Sequence, residues 1–359
     1  MAVKNRLQAL DLLRGFTVAA MILVNNGYKD SFEMLQHADW NGLSVSDFVF
    51  PFFLFIMGVS IFLSFSKNKF KISKEISWKI IKRTLILFIL GLVINWLEMI
   101  CHGNGLNFQE LRFWAVLQRI AICYFVSSFF VLLLPKSSIL PIAFLALIIY
   151  GFIITNGNGY SSDKALNILY LTDEKIFGDS HLYHKSVVDP EGLISTISAL
   201  SNVLFGVYVG LLICKANNLL SKSNSCFVFG ALLLILGFIV NFFMPANKHI
   251  WSPSFALITS GACALFLGLF ISLETKDSQS GGFSVFFKVF GVNALLLYIT
   301  SEVMAILFGT WGINEALYGF YSFGIPYPPL ASLFYALTYV LMNWLIGYPL
   351  WRKHIYIKL

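Results

Sequence analysis

Residues 37–58 read HADWNGLSVSDFVFPFFLFIMG, and this stretch decides the fold. Its first part, from His37 to Asp47, contains a histidine, two aspartates, a tryptophan and two small polar serines, with Asn41 between them. The part that follows, up to Gly58, is apolar and long enough to enter hydrocarbon. The pattern predicts polar chemistry held at the surface of a membrane.

The composition of the whole chain supports a membrane protein. Of its 359 residues, 58% are hydrophobic and only 12% are charged, whereas soluble domains carry about a quarter charged residues. Apolar runs of roughly 17 to 25 residues recur along the chain, as membrane-crossing helices require. We therefore predict an all-α integral membrane protein, with residues 1–359 forming a single polytopic domain.

Basic residues indicate how the helices are oriented. The formal net charge is +7, but the lysines and arginines lie in short loops beside apolar runs, so the positive-inside rule explains them better than nucleic-acid binding does. They collect on one alternate set of loops, which predicts ten crossings with both termini in the cytoplasm. The predicted spans are approximately Leu12–Asn26, Phe48–Phe65, Thr84–Met99, Ala115–Leu134, Ile139–Ile154, Leu193–Ile213, Cys226–Phe243, Phe255–Leu273, Val289–Phe308 and Leu330–Leu350.

The largest loop, Thr155–Gly192, is predicted to lie outside the cell. It carries six acidic and three basic residues. A long loop of this kind is typical of a lid or a substrate surface, and a solvated loop without a role explains most of its length equally well. The five cysteines show no CxxC pattern and no shared loop, so neither a disulfide nor a metal site is predicted.

Several predicted spans contain polar groups that hydrocarbon tolerates poorly. Asp11 and Arg14 are three residues apart and are expected to pair on one helical face. Arg119 and Glu98 are both expected near the outer leaflet, where they could pair. In the ninth span Asn293 lies nine residues before a second polar group, Glu302, and the two can line one cavity only if that helix is broken.

The chemistry-bearing residues at the outer end of the first two spans are a histidine and two amides. The first span ends in Asn25, Asn26 and Gly27, and His37 follows about ten residues later. Near neutral pH a histidine can accept a proton from an attacking group, and an asparagine can donate a hydrogen bond to a developing oxyanion. This pairing suits acyl transfer, although a lone histidine in an external loop is also commonly a surface or capping residue.

These residues lie in blocks that resemble a known family. RLQALDLLRG (residues 6–15), VNNG (24–27) and HADWNGLSVSDFVFPFFLFIMGVSIFLS (37–64) are similar to the start of the heparan-α-glucosaminide N-acetyltransferase family of membrane acyltransferases. Later blocks occur in the same order: LQR (117–119), DPEGL (189–193), PANKHIWS (245–252) and GVNA (291–294), followed by Glu302. The resemblance covers essentially the entire chain, and the block from His37 to Gly58 is its most specific part.

The resemblance implies an enzyme that transfers acetyl from acetyl-CoA, supplied on the cytoplasmic side, to an amino sugar or glycan terminus on the opposite side. It implies that His37 is the active-site residue and that Asn25 lies beside it, with Asn26 as the other possibility. Two routes stay open: His37 deprotonates the amine directly, or His37 is itself acetylated and then deacylated by the sugar. The segment from His37 to Asp47 is expected to fold back into the bundle to meet the thioester.

Further residues are assigned to the two substrates. Arginines near the cytoplasmic end could bind the phosphates of CoA through bidentate contacts. The predicted cofactor-binding residues are Arg14, Arg83 and Arg119, and the predicted substrate-binding residues are Trp40, Asn41, Asp47, Asp189, Glu191, Asn247 and Lys248.

The resemblance also bears on location and partners. The family's lysosomal member carries a luminal domain before its first shared span, whereas here the resemblance begins at Arg6, which implies a bacterial-type member in the cytoplasmic membrane. The expected partners are the acetyl donor, the acceptor and lipid, with a homodimer as a further possibility. Two alternatives are an O-acyltransferase of cell-surface glycans and a sugar transporter without chemistry, for which paired broken helices would be the sign.

Overall fold

The computed structural model describes residues 7–28, 30–103, 105, 108–183, 186–274 and 282–357. Arg6, the first residue of the family resemblance, lies outside these ranges. The regular structure of the described residues is helical. Its α-helices are α1 (Gln8–Asn25), α2 (Val49–Lys67), α3 (Lys74–Cys101), α4 (Val116–Leu133), α5 (Ile139–Asn156), α6 (Ile168–Phe177), α7 (Ser195–Lys215), α8 (Leu219–Asn241), α9 (Pro253–Ser272), α10 (Gly282–Val292), α11 (Ala294–Thr310), α12 (Ile313–Gly324) and α13 (Pro328–Arg352).

The prediction of an all-α, multi-pass membrane protein is confirmed. Among the described residues, nine helices are long and apolar enough to cross a membrane, and the bent pair of α10 and α11 brings the number to ten if it forms one span. All ten predicted spans fall on these elements. Their orientation stays a prediction; we call the end of the bundle where α1 begins the inner end, and the end where α1 finishes the outer end.

The ninth predicted span, Val289–Phe308, is wrong as a continuous helix. It is broken at Asn293, where the axes of α10 and α11 differ by 80°. The Asn293 side chain explains the break, because it bonds the C-terminal tail: its amide donates to the carbonyl of Ile355 at 3.0 Å, and its oxygen accepts from the backbone N–H of Ile357 at 2.9 Å. Only this one bent pair occurs in the described chain, not the two corresponding breaks typical of transporters.

Glycines allow the central helices to approach closely. A Cβ added at Gly58 of α2 would overlap the carbonyl oxygen of Val203 on α7, and one at Gly206 of α7 would overlap the carbonyl of Phe55. Small residues at such contacts let helix backbones meet, which is a main source of association energy in membranes. The helix after His37 is therefore fixed tightly against the core of the bundle.

The long segment Thr155–Gly192, predicted to be external, has more structure in its described residues than a simple loop. It contains α6, whose N-terminus is capped by the side-chain oxygen of Asn167, 3.0 Å from the N–H of Leu169. Asp173 of this helix accepts a hydrogen bond from the backbone of Leu193 at 3.0 Å. The segment is thus anchored onto the start of α7 and does not extend freely into solvent.

Candidate active site

The imidazole of His37 pairs with the carboxylate of Asp47. Its Nδ1 lies 2.8 Å from Oδ1 of Asp47, which is completely buried, while the His37 side chain is 41% exposed. An ionised carboxylate only accepts hydrogen bonds, so this contact places the proton on Nδ1 and leaves a lone pair on Nε2. A histidine held in this tautomer is suited to accept a proton from a substrate.

Asp47 is itself held in place by the turn that starts the second span. Its other oxygen, Oδ2, accepts from the backbone N–H of Ser44 at 2.9 Å, from the Ser44 hydroxyl at 3.0 Å and from the N–H of Ala38 at 3.3 Å. The turn at Val45–Phe48 leads directly into α2. Both carboxylate oxygens are therefore fixed by the rigid end of a helix, and so is the imidazole.

The amine of Lys248 lies close to both nitrogens of the imidazole. Its Nζ lies 2.8 Å from Nε2 of His37, 2.9 Å from Nδ1 and 3.8 Å from Oδ1 of Asp47. Burial lowers the pKa of Lys248 below its ordinary value, and the negative charges of Asp47 and Glu191 offset only part of this effect. Any acceptor that uses the Nε2 lone pair must first displace this amine.

Two loops dock onto each other to bring Lys248 to His37. The N–H of Gly42 donates to the carbonyl of Ala246 at 2.8 Å, and Gly42 has a φ of +118°, which disfavours any residue with a side chain. The amide of Asn247 donates to the Asn41 oxygen at 3.2 Å, and the Trp40 ring stacks on His249 with centroids 5.5 Å apart. The predicted substrate-binding residues Trp40, Asn41 and Asn247 thus join these loops.

The acidic residues predicted to attract an amino sugar are already bound by Arg112. Its Nε donates to Oδ2 of Asp189 at 3.0 Å, and one terminal nitrogen bridges Asp189 at 2.5 Å and Glu191 at 2.8 Å. Burial alone would lower the pKa of Arg112, but these carboxylates outweigh it and raise that pKa. Burial alone would raise the pKa of Glu191, but the positive charges of Arg112 and Arg119 bring this pKa below its ordinary value.

The assignment of Asp189 and Glu191 as acceptor-binding residues stays a prediction, and in the structure both carboxylates pair with Arg112. Both side chains are buried and neutralised internally by Arg112. The negative charge of Glu191 also acts on the Lys248 amine and counters the lowering of its pKa by burial.

The second predicted catalytic residue, Asn25, forms its hydrogen bond away from the His37 cluster. Its amide donates to Oε1 of Glu302 on α11 at 3.1 Å. Asn26 is buried and donates to the carbonyl of Ile22 and to the Ser301 hydroxyl, whereas Asn25 is exposed. Which of the two amides takes part in the reaction stays a prediction. Among the described residues, no hydrogen bond joins Asn25 to His37.

Glu302 opens onto a cavity of about 560 Å³ in the outer half of the bundle, a volume that fits a small ligand. Residues of α3, α4 and α11 line it, together with Arg112. Two carboxylates, Glu98 and Glu302, face this space. We call it the outer cavity; His37 is not among its lining residues.

A second cavity, of about 590 Å³, lies in the inner half, and the predicted cofactor residues Arg14 and Arg83 both line it. The predicted pair is confirmed: a terminal nitrogen of Arg14 lies 3.0 Å from Asp11, and the other donates to the Ser60 hydroxyl at 2.7 Å. The Arg83 guanidinium stacks on the Tyr124 ring, 4.7 Å from its centroid. Two guanidinium groups at one cavity form a site that suits phosphates.

Arg119, the third predicted cofactor residue, does not line this inner cavity. Its fully buried guanidinium donates to the carbonyl of Gly192 and to the Ser195 hydroxyl, and it lies over the Trp251 ring at 4.8 Å. The expected pairing of Arg119 with Glu98 is wrong, because Gly192, Ser195 at the start of α7 and Trp251 are its partners instead. Arg119 therefore holds the start of α7 in place.

The outer and inner cavities are stacked along the same three helices. The deepest residues of the outer cavity are Gly91 on α3, Gln118 on α4 and Tyr298 on α11. The uppermost residues of the inner cavity on these helices are Leu87, Ile120 and Leu295. At 1.5 Å of rise per residue, only about 3 to 6 Å of helix separates the two sets.

Sequence reasoning missed two groups in this arrangement. Arg112 precedes the LQR block. Its ion pairs were not predicted because its partners, Asp189 and Glu191, are more than 70 residues away. Gln118 belongs to the LQR block itself, and it attracted no assignment because a glutamine in a span is commonly a packing residue. The sequence signal for Gln118 was its position in the LQR block.

A family model and two curated proteins match this chain. The family model described as heparan-alpha-glucosaminide N-acetyltransferase, catalytic, matches residues 6–182. The human protein named heparan-alpha-glucosaminide N-acetyltransferase (Homo sapiens) is 30% identical over 368 residues, which cover 84% of this chain. The chain belongs to the heparan-alpha-glucosaminide N-acetyltransferase family.

The mouse member of this N-acetyltransferase family (Mus musculus), which carries the same name, is 28% identical over 365 residues, again covering 84% of the chain. The alignments cover 54% of the mouse protein and 53% of the human protein. The chain thus spans about half the length of the curated relatives that it matches. The matched part includes the blocks around Asn25, His37 and Arg83, which lie within the family model.

Proposed function

We propose that this acetyltransferase moves an acetyl group from acetyl-CoA at the inner end of the bundle to the amine of an amino sugar or glycan terminus at the outer end. The observation that carries the proposal is the stacking of the two cavities, with Arg14 and Arg83 at the inner one. Their separation by about one helical turn suits a donor that enters from one face and reacts with an acceptor from the other.

The inner cavity fits the charged end of the donor. CoA carries a diphosphate and a further phosphate on its ribose, and arginine binds such groups with two parallel N–H donors. Arg14 is oriented by Asp11 and Ser60, and Arg83 by Tyr124. Both residues would hold phosphate groups at the end predicted to be cytoplasmic, where acetyl-CoA is made available.

The outer cavity fits an amine acceptor. An amino sugar carries a positive charge when its amine is protonated, and the carboxylates of Glu98 and Glu302 face this space. Asn25 orients Glu302 by its hydrogen bond of 3.1 Å. Asn25 thus acts through Glu302, as a positioning residue for the acceptor.

His37 is the proposed proton acceptor at the outer end. Because His37 does not line the outer cavity, the proposal requires the acceptor to extend from that cavity past Arg112 to the imidazole. In the direct route, the amine in its neutral form displaces Lys248 from Nε2 and attacks the thioester carbon, and Nε2 takes the proton that the nitrogen releases as it becomes an amide. A C–N bond forms, the C–S bond breaks, and the thiolate of CoA leaves with the electron pair. In the relay route the same lone pair attacks the thioester first, the thiolate of CoA leaves, and the amine then attacks the acetyl group and breaks its bond to Nε2. Asp47 supports either route because it fixes the proton on Nδ1.

A transfer assay with purified protein in lipid nanodiscs tests the proposal. Label from acetyl-CoA is expected on glucosamine as an amide, which mass spectrometry separates from the ester that an O-acyltransferase would give. His37→Ala is expected to lose transfer, whereas His181→Gln, a change to a histidine that bonds the backbone of Leu111, retains it. Full transfer by His37→Ala would remove His37 from the reaction, and uptake of unmodified sugar would favour a transporter.

A further inference from the structure

The floor of the outer cavity contains a buried amide that has no partner. The side chain of Gln118 is fully buried, and neither its Nε2 nor its Oε1 forms a hydrogen bond within the described part of the chain. Leaving such a group unpaired costs about 1–3 kcal/mol. Native proteins rarely retain that cost without a ligand, water or functional reason.

A glycine on the facing helix provides the space that this amide occupies. Gly91 of α3 faces it directly, and a Cβ at that position would lie 2.6 Å from the Gln118 oxygen. Gly91 and Gln118 both line the outer cavity. The amide therefore lies at the deepest point of the outer cavity and is accommodated by a glycine.

Gln118 also lies next to the inner cavity. It is two residues from Ile120, which lines the inner cavity on the same helix, and two residues correspond to about 3 Å of rise. Anything that passes from Arg14 and Arg83 to the outer cavity must cross the layer that contains this amide. Tyr298 of α11 lies at the same depth.

We propose that Gln118 binds the pantetheine arm of the acetyl donor, with its Nε2 donating a hydrogen bond to a carbonyl oxygen of the arm where the two cavities meet. This inference rests on the proposed function, since it takes acetyl-CoA as the donor. The arm carries two amides and the thioester carbonyl, so it offers hydrogen-bonding groups to both atoms of the Gln118 amide. An apolar residue at this position would leave those groups buried and unpaired.

A comparison of two ligands isolates this contact. Binding of acetyl-CoA and of adenosine bisphosphate, which lacks the arm, is measured by calorimetry in nanodiscs for the native protein and its variants. Gln118→Leu is expected to weaken acetyl-CoA binding about three- to tenfold, as the loss of one hydrogen bond predicts, and to leave adenosine bisphosphate binding unchanged. Arg83→Ala is expected to weaken the binding of both ligands.

Ser127→Ala is the matched control. Ser127 is also on α4, is fully buried and has an unpartnered hydroxyl, so its removal tests whether any such change on this helix affects binding. The thermal midpoint of Gln118→Leu is expected to equal or exceed that of the native protein, because the variant no longer buries an unpaired amide. If that variant does not fold, Gln118→Met replaces it.

The outcomes separate the two claims. Equal acetyl-CoA affinity in the native protein and Gln118→Leu would overturn the role of Gln118 and leave the proposed function standing. Equal weakening of both ligands by Gln118→Leu would also overturn it, because the amide would then act on the fold. Failure of the native protein to bind acetyl-CoA would overturn the proposed function and this inference with it.

Discussion

Oδ1 of the buried Asp47 carboxylate lies 2.8 Å from Nδ1 of the His37 imidazole. The other carboxylate oxygen is bound by Ser44 and Ala38. The carboxylate is therefore positioned by its own helix start before it positions the histidine.

Asp47→Asn is expected to reduce the rate of acetyl transfer about tenfold or more. An asparagine can present its N–H to Nδ1 and so favour the tautomer that leaves no lone pair on Nε2. The exposed Asp39 in the same stretch provides the control, and Asp39→Asn is expected to have native activity. The double variant with His37→Ala should be no slower than His37→Ala alone, because the two residues act as a unit. Additive losses would contradict the pairing.

Arg112→Leu is expected to destabilise the fold by about 3–5 kcal/mol, since it leaves Asp189 and Glu191 as buried carboxylates without a counter-charge. A thermal shift in detergent measures the loss. Lys79→Ala removes an ion pair with Glu75 in which both side chains are at least 70% exposed, and it should leave the midpoint unchanged. Equal effects of the two changes would contradict the buried network.

The contact between α2 and α7 predicts different outcomes for two glycines. Gly58→Ala is expected to cost about 1–3 kcal/mol, because the new methyl group meets the backbone carbonyl of Val203, which cannot move away easily. Gly319 of α12 has no atom within 4 Å of a built Cβ, and Gly319→Ala should be neutral or stabilising by helix propensity. Thermal midpoints of the two variants provide the test.

Helical spans were predictable from the sequence because apolar length alone decides them. The break at Asn293 was not, because it depends on hydrogen bonds to Ile355 and Ile357 in the C-terminal tail. His37 could be singled out from its block, but its neighbour Lys248 is 211 positions away. Asn25 similarly meets Glu302 across 277 positions, and the order of residues in a single sequence does not reveal such pairings.

The stability of the segment Thr155–Gly192, which contains Asp173, is expected to fall as the pH rises. Burial raises the pKa of Asp173 from 3.8 to about 7, so the folded state holds a proton that the unfolded state has lost. The stabilisation is complete below about pH 4 and is lost as the pH rises through 7. The midpoint should therefore decrease between pH 5 and 8, and Asp173→Asn should reduce this decrease. A native midpoint that rises over this range would contradict the assignment.

Sidedness is the central claim, and it is tested most directly in sealed proteoliposomes with one orientation of the protein. Acetyl-CoA is confined to the face that carries Arg14 and Arg83, and glucosamine to the face that carries His37. The account predicts acetylated glucosamine on the His37 face, formed only with this arrangement and lost in His37→Ala. Product that forms only when donor and acceptor share one face would contradict transfer across the membrane.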